Sequence, residues 1–348
     1  MDHHSREAVI SALGSSRRAL ARHRALVLGV LCALLALMIV LSLTLGKTAY
    51  SPAQVWQVIM GHQVPGASFT VGTLRLPRTA MALVAGLCFG LSGVSFQTLL
   101  RNPLASPDVI GISTGASAAA AFAIVLLGLS GTAVSFVAII AGLLVALAVY
   151  LLAYRGGAAG TRLILVGIGM AAMLESLISW VLTKAGQWDL QEATRWLTGS
   201  LNGSNWSGVL PALVALLVLG PVLVGQSKNL SSLQLGDDTA AALGVRVERS
   251  RVVVIIAAVG LIAFATAATG PIAFVAFLSG PIAARLIGPR GSLLIPAALV
   301  GALLVLVADF AGQYLLGTRF PVGVITGVLG APYLVYLIIR SNRAGGSL

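Results

Sequence analysis

Residues 25–45 read ALVLGVLCALLALMIVLSLTL, 21 residues without a charged side chain. At about 1.5 Å per residue, a helix of that length matches the roughly 30 Å hydrocarbon core of a bilayer. The run is continuously apolar, whereas a membrane β-barrel strand alternates apolar and polar residues, so it is helical. A basic segment precedes it and no small-residue cleavage site is evident, so it reads as a retained anchor rather than a removable signal peptide. The rest of the chain repeats the pattern. Over its 348 residues, 58% are hydrophobic, 9% are charged, and the mean hydropathy is +0.99. Soluble domains carry about 25% charged residues. Twenty-two basic and ten acidic side chains cannot cover a water-facing surface of this size. That excludes a soluble enzyme, a disordered regulator and a disulfide-built secreted domain.

Apolar runs fall at 26–46, 79–98, 109–129, 132–153, 162–183, 207–225, 252–269, 271–288, 293–315 and 322–339. The split within 252–288 is set at Pro271, which follows Gly270. The expected fold is an all-α polytopic membrane protein of about ten transmembrane helices. Residues 1–25 form a basic N-terminal tail, 26–339 the ten-helix domain, and 340–348 a C-terminal tail. An even number of spans puts both termini on one side. Of the 22 Lys and Arg residues, Lys47, Arg75, Arg78, Lys184, Arg195 and Arg319 fall on the other side, and the remaining sixteen share the side of the termini. By the positive-inside rule, the termini are cytoplasmic. The net charge of +12 is thereby accounted for by loops beside a membrane, and nucleic acid is not an expected partner. Cys32 and Cys88 lie inside apolar runs as small packing residues.

Two segments belong to neither lipid nor idle loop. On the outer side, 185–206 carries Trp188, Trp196 and Trp206, which either anchor neighbouring spans or belong to a gating helix at the interface. On the inner side, 226–251 interleaves Leu233, Leu235, Ala241, Ala242, Leu243 and Val245 with Asp237, Asp238 and Arg246. That composition fits a short amphipathic helix offering its apolar face to another protein.

Motifs for chemistry are absent. Gly46-Lys47-Thr48 resembles the end of a phosphate-binding loop, but Leu41 stands where the first glycine is required. Gly167-Ile168-Gly169 opens a G-x-G-x-x-A string inside an apolar helix, where small residues let helices approach closely. None of the four histidines has a partner at metal-ligand spacing, and no catalytic set can be nominated. No enzyme activity, cofactor or metal site is expected in this chain. Glu175 and Asp309 are acids within spans, and an intramembrane charge costs roughly 2.5–3.5 kcal/mol on insertion scales. Asp309 is read as bonded within a wet interior, with Gln313 one turn away on the same face. Glu175 either lines a hydrated path or bonds to a neighbouring helix. Gly86-x-x-x-Gly90, Gly111-x-x-x-Gly115 and Gly323-x-x-x-Gly327 are read as packing seams.

The stretch RLPRTAMALVAGLCFGLSGVSFQTLLRNPLASPDVIGISTGAS (75–117) is specific, with its R-L-P-R and its N-P-L-A-x-P-x-x-x-G. It closely resembles the FecCD-type permeases, membrane subunits of ABC importers for ferric siderophores, haem and cobalamin. The likeness recurs at GPIAFVAFLSGPIAARLIG (270–288) and PVGVITGVLGAPYLVYLI (321–338), in the family's order.

The resemblance implies a ten-span subunit that pairs with a second, identical or homologous, permease copy around a central path in the bacterial inner membrane. Arg75 and Arg78 match basic residues that face acidic residues of an extracytoplasmic substrate-binding protein. A third basic docking residue of some relatives falls near Gln313, and Arg319 either replaces it or anchors the interface. The 226–251 segment matches the coupling region that enters a groove on the ATP-binding cassette subunit. The contact is expected over Leu233, Leu235, Asp237, Asp238, Ala241, Leu243 and Gly244, with the aspartates as caps or salt-bridge partners. The fifth span and its outer extension line and close the path, which assigns gating to Gly167, Gly169, Gln187 and Trp188, with Glu175 on the path. ATP and Mg belong to the partner ATPase, and the cargo is a ferric siderophore or related chelate moved by alternating access. The competing reading is an ion-coupled secondary transporter that uses Glu175 or Asp309 as its proton site.

Overall fold

The computed structural model describes residues 3–108, 111–153, 160–288 and 291–343. Arg155, Arg290, residues 344–348 of the C-terminal tail, and the side chains of Arg6, Arg17, Arg340 and Arg343 lie outside the described part.

All regular structure among the described residues is helical. In chain order the helices are α1 (His3–Thr44), α2 (Pro52–Ile59), α3 (Leu76–Leu99), α4 (Ile112–Val125), α5 (Thr132–Ala153), α6 (Gly160–Leu182), α7 (Gln187–Leu197), α8 (Trp206–Gly225), α9 (Ser227–Leu233), α10 (Asp237–Ala242), α11 (Val247–Thr269), α12 (Val275–Ile287), α13 (Leu294–Tyr314) and α14 (Val322–Arg343). A π-helical stretch, Ser68–Arg75, runs directly into α3. Every apolar run read from the sequence overlaps one of these helices over most of its length. The 42-residue α1 runs from the N-terminal tail into the first apolar run.

Seven helices are long and apolar enough to cross a membrane; α4, α12 and the apolar part of α14 are shorter. With 14 and 13 residues, α4 and α12 extend only about 20 Å. Each begins after irregular backbone: 100–108 on the approach to α4, and 270–274, with Gly270 at φ 70° and Phe274 at φ 64°, before α12. Pro271 marks the second break, as read from the sequence. Non-helical backbone at membrane depth survives only where it is buried in protein or lines a polar cavity. Both breaks line the same cavity, described below.

The core is centred on α3, which is buried almost throughout and packs against α13, α11, α12 and α8. Glycine makes this possible. A Cβ on Gly86 would stand 2.5 Å from Cα of Ala302, one on Gly90 would strike the carbonyl of Ala297, and one on Gly93 that of Ala276. The 86–90 seam is therefore real, and Gly93 extends it to α12. Gly115 likewise faces Val145 of α5. The third seam holds at one position only: Gly323 abuts Thr198, whereas Gly327 faces open space. Leucine at Gly93 must displace backbone, because no flexible side chain stands in its way. We expect Gly93→Leu to cost about 3 kcal/mol and to lower the melting temperature of the detergent-purified protein.

Contacts define two ends. At one, Arg24 Nη2 donates to Ser292 O (2.6 Å), which ties the start of the α1 span to the α12–α13 connection. The same end holds Arg101, Gln234 and Leu293 around one small cavity. At the opposite end, the close of α1 meets the start of α3, and Ser200 N donates to Thr269 O (2.7 Å) at the close of α11. Alternation of the spans is thus visible in the packing. Which end faces the cytoplasm is argued from charge below.

Candidate functional site: a membrane-depth cavity between two polar ends

A cavity of about 880 Å³ lies among α4, α6, α12 and α14. The break before α4 contributes Ser106 and Asp108, α4 contributes Ser113 and Ser117, and α6 contributes Glu175. Residues 271–274 of the second break, with Phe277, form the wall on the α12 side. Asp108 accepts from Ser113 Oγ (2.5 Å) and Ser106 Oγ (3.3 Å), which satisfies its carboxylate and fixes the turn before α4. Glu175 is exposed, and its carboxylate has no hydrogen-bond partner among the described residues. Its side chain lines the cavity. Among the described residues, no Lys or Arg lines this cavity.

Its wall toward the α3 start is made by Leu197, Thr198, Gly323 and Val324. Three backbones meet there. Gly323 N donates to Gly199 O (3.1 Å), beside the Ser200–Thr269 hydrogen bond. Gly199 and Gly270 both have φ near 70°, and a Cβ on either would collide with backbone of the other segment. Glycine is required twice over, for conformation and for space.

Four residues expected on the path or gate sort differently. Gln187 is exposed, Trp188 is 83% exposed, and neither lines the cavity; Leu197 and Thr198, at and just past the other end of α7, do. The reason is helical direction: α7 is amphipathic and buries Ala193, which leaves its first turn turned outward. Gly167 is buried, with its carbonyl beside Gly111, so it joins α6 to the start of α4 rather than facing the path. Gly169 is exposed with open space where a Cβ would be.

The basic residues at this end also separate. Arg75 is buried, and its guanidinium donates to Leu43 O (2.9 Å), Thr44 O (3.1 Å) and Thr48 O (2.6 Å) while lying 5.2 Å from the centre of the Tyr50 ring. The last carbonyls of a helix have no intrahelical donors, and a cation there also suits the helix dipole. Arg75 is thus the C-terminal cap of α1, and its expected role as a docking residue is withdrawn. Arg78 forms a two-pronged pair with Asp309 of α13, Nε to Oδ2 at 2.8 Å and Nη2 to Oδ1 at 2.6 Å. Its Nη1 reaches Asn202 Oδ1 at 2.6 Å. Asp309 is therefore bonded within the protein, as read, but to Arg78 and not to Gln313, whose Nε2 is buried without a partner. Arg319 is exposed and makes no hydrogen bond or ion pair among the described residues.

At the opposite end the expected single amphipathic helix is two short ones, α9 and α10, broken at Gly236 with φ 113°. Leu233 is buried in the core and its carbonyl accepts from Arg101 Nε (2.7 Å), so it belongs to the support and not to the contact. Leu235 and Leu243 are 64% and 62% exposed, and Ala241 and Gly244 are exposed beside them. Asp237 pairs with Arg101 and Arg251, while Asp238 is exposed in the first turn of α10. The result is an apolar knob with no cover, held on a charged base.

Comparison with known proteins places these features in context. The model of the FecCD transport family matches residues 34–340. The ferric enterobactin transport system permease protein FepG of Escherichia coli is 41% identical over 302 residues, which is 86% of this chain and 91% of that protein. The iron(3+)-hydroxamate import system permease protein FhuG of Bacillus subtilis is 34% identical over 330 residues, 91% of this chain and 97% of its own. Among solved structures, an inward-facing conformation of a metal-chelate type ABC transporter superposes with a TM-score of 0.80 at 29% identity, covering 90% of this chain and 98% of that one.

Proposed function

Because the chain belongs to the FecCD transport family, we propose that it is the permease subunit of an ABC importer that carries a ferric siderophore inward across the bacterial inner membrane. It is a multi-pass membrane protein. The observation that carries the reading is the pairing of a cavity among apolar helices, bounded by irregular backbone before α4 and α12, with an uncovered apolar knob at one end. A cavity of this size suits a bulky ligand with few fixed polar contacts. The knob suits a groove on a partner that supplies motion.

The sixteen-to-six division of basic residues favours the knob end as cytoplasmic. ATP and Mg then act on a separate cassette subunit seated on Leu235, Ala241, Leu243 and Gly244. Its closure displaces α9 and α10, and the helices bounding the cavity tilt. At the outer end, the exposed Arg319 is available to an acidic surface of a substrate-binding protein, whereas Arg78 is engaged by Asp309 and Asn202. The remaining face of α6 exposes Leu165, Ile168, Met173, Leu177 and Trp180. A second permease copy covering that face would enclose the path between the two chains, with Glu175 on it.

Purification from the native membrane, followed by mass spectrometry of bound proteins and ligand, tests the assignment. A cassette ATPase and an iron chelate in the sample support it; a chain recovered alone with no ATPase at any detergent or nucleotide condition removes it.

A further inference from the structure

The knob must be connected to the cavity by something stiffer than a loop, and the structure shows one joint at its base. Asp237, the first residue of α10, shares its carboxylate between two arginines from different helices. Oδ1 takes Nη2 of Arg101, which lies just past the end of α3, and Oδ2 takes Nη2 of Arg251 in α11 at 2.8 Å. Arg101 also holds the carbonyl of Leu233 at 2.7 Å, which fixes the end of α9. Arg251 is buried and is balanced by Glu248 at 2.8 Å. Two cations and two carboxylates close a neutral network around a single acid.

Arg101 adds a second observation. Its φ is 51°, in the left-handed region that non-glycine residues avoid, and its side chain makes two of the bonds just described. Such a conformation persists only where the surroundings hold it. From Arg251 onward α11 is a rigid rod whose far end, Thr269, meets Ser200 beside the cavity wall. Taking the chain as a permease driven through α10, we infer that Asp237 is the positioning residue that transmits displacement of α10 to α3 and α11, and through α11 to the outer wall of the cavity. It touches neither cargo nor nucleotide. Leu235 and Leu243 grip the ATPase; Asp237 makes the grip move the spans.

The test uses the full complex with its ATPase subunit in proteoliposomes, with a reporter cysteine from Thr198→Cys on the cavity wall and Cys32→Ser to remove the exposed native thiol. ATP with Mg should change the reporter's rate of maleimide labelling about tenfold. In Asp237→Asn the ATPase subunit should still co-purify, while the ATP-dependent change shrinks below twofold; Asp237→Glu should restore most of it. Arg101→Gln, which severs only the α3 half, should give an intermediate loss. An undiminished ATP-dependent change in Asp237→Asn overturns the inference. So does loss of the ATPase subunit from Asp237→Asn and Arg101→Gln alike, which makes the network a folding element only. Failure of the unsubstituted complex to hold any ATPase would instead strike the permease assignment.

Discussion

Asp309→Ala should destabilise the purified protein by about 3 kcal/mol, and Arg78→Leu/Asp309→Leu should recover to within about 1 kcal/mol of the parent. Removing one member of a largely buried pair strands the other charge; removing both strands none. The pair is two-pronged, and the side chains are only 20% and 13% exposed, so water cannot readily compensate the survivor. Thermal unfolding in one detergent reads both variants. The result also bears on the secondary-transporter alternative, which needs Asp309 to exchange protons. Uptake that persists in the double leucine variant would remove Asp309 as a proton site.

The second large effect is at the knob. Leu235→Asp/Leu243→Asp should lower affinity for the ATPase subunit by at least about two orders of magnitude, because each leucine buried in a groove contributes about 1.5–3 kcal/mol and each new charge must be desolvated. The melting temperature should stay near that of the parent, since both side chains are largely exposed. Co-purification of the ATPase at graded salt measures the first, and a thermal melt the second. Leu233→Asp is the contrast: that side chain is buried, so it should lower stability as well as association.

These outcomes depend on distinctions that a linear reading draws only in part. The seven long apolar helices and three shorter ones were legible because continuous apolar runs need only length and composition, and the Gly270–Pro271 break because proline and glycine act locally. The inner segment was legible because its residues are too apolar for water and too polar for lipid. Long-range pairing was not. A search along the helix offered Gln313 to Asp309, whereas the true partner, Arg78, is 231 residues away. Arg75 looked like a surface cation because it stands before a span; its burial depends on the uncapped end of α1 arriving beside it. Leu233 and Leu235 differ by two positions, yet α9 ends at Leu233, which is buried, and Leu235 lies beyond it, exposed. Asp108 and Thr198 were passed over because a loop next to a span gives no sign that it lines a cavity. The two prolines in Asn102-Pro103-Leu104-Ala105-Ser106-Pro107 were the available signal for a non-helical approach to α4.

The central claim is that this chain is a pathway and a lever driven by a separate ATPase. Uptake of ferric siderophore into proteoliposomes containing the whole complex tests it most directly, with ATP supplied or withheld and a protonophore added or omitted. The account predicts uptake that requires ATP and the ATPase subunit and survives collapse of the proton gradient. Uptake by this chain without the ATPase, abolished by the protonophore and by Glu175→Gln, would contradict it.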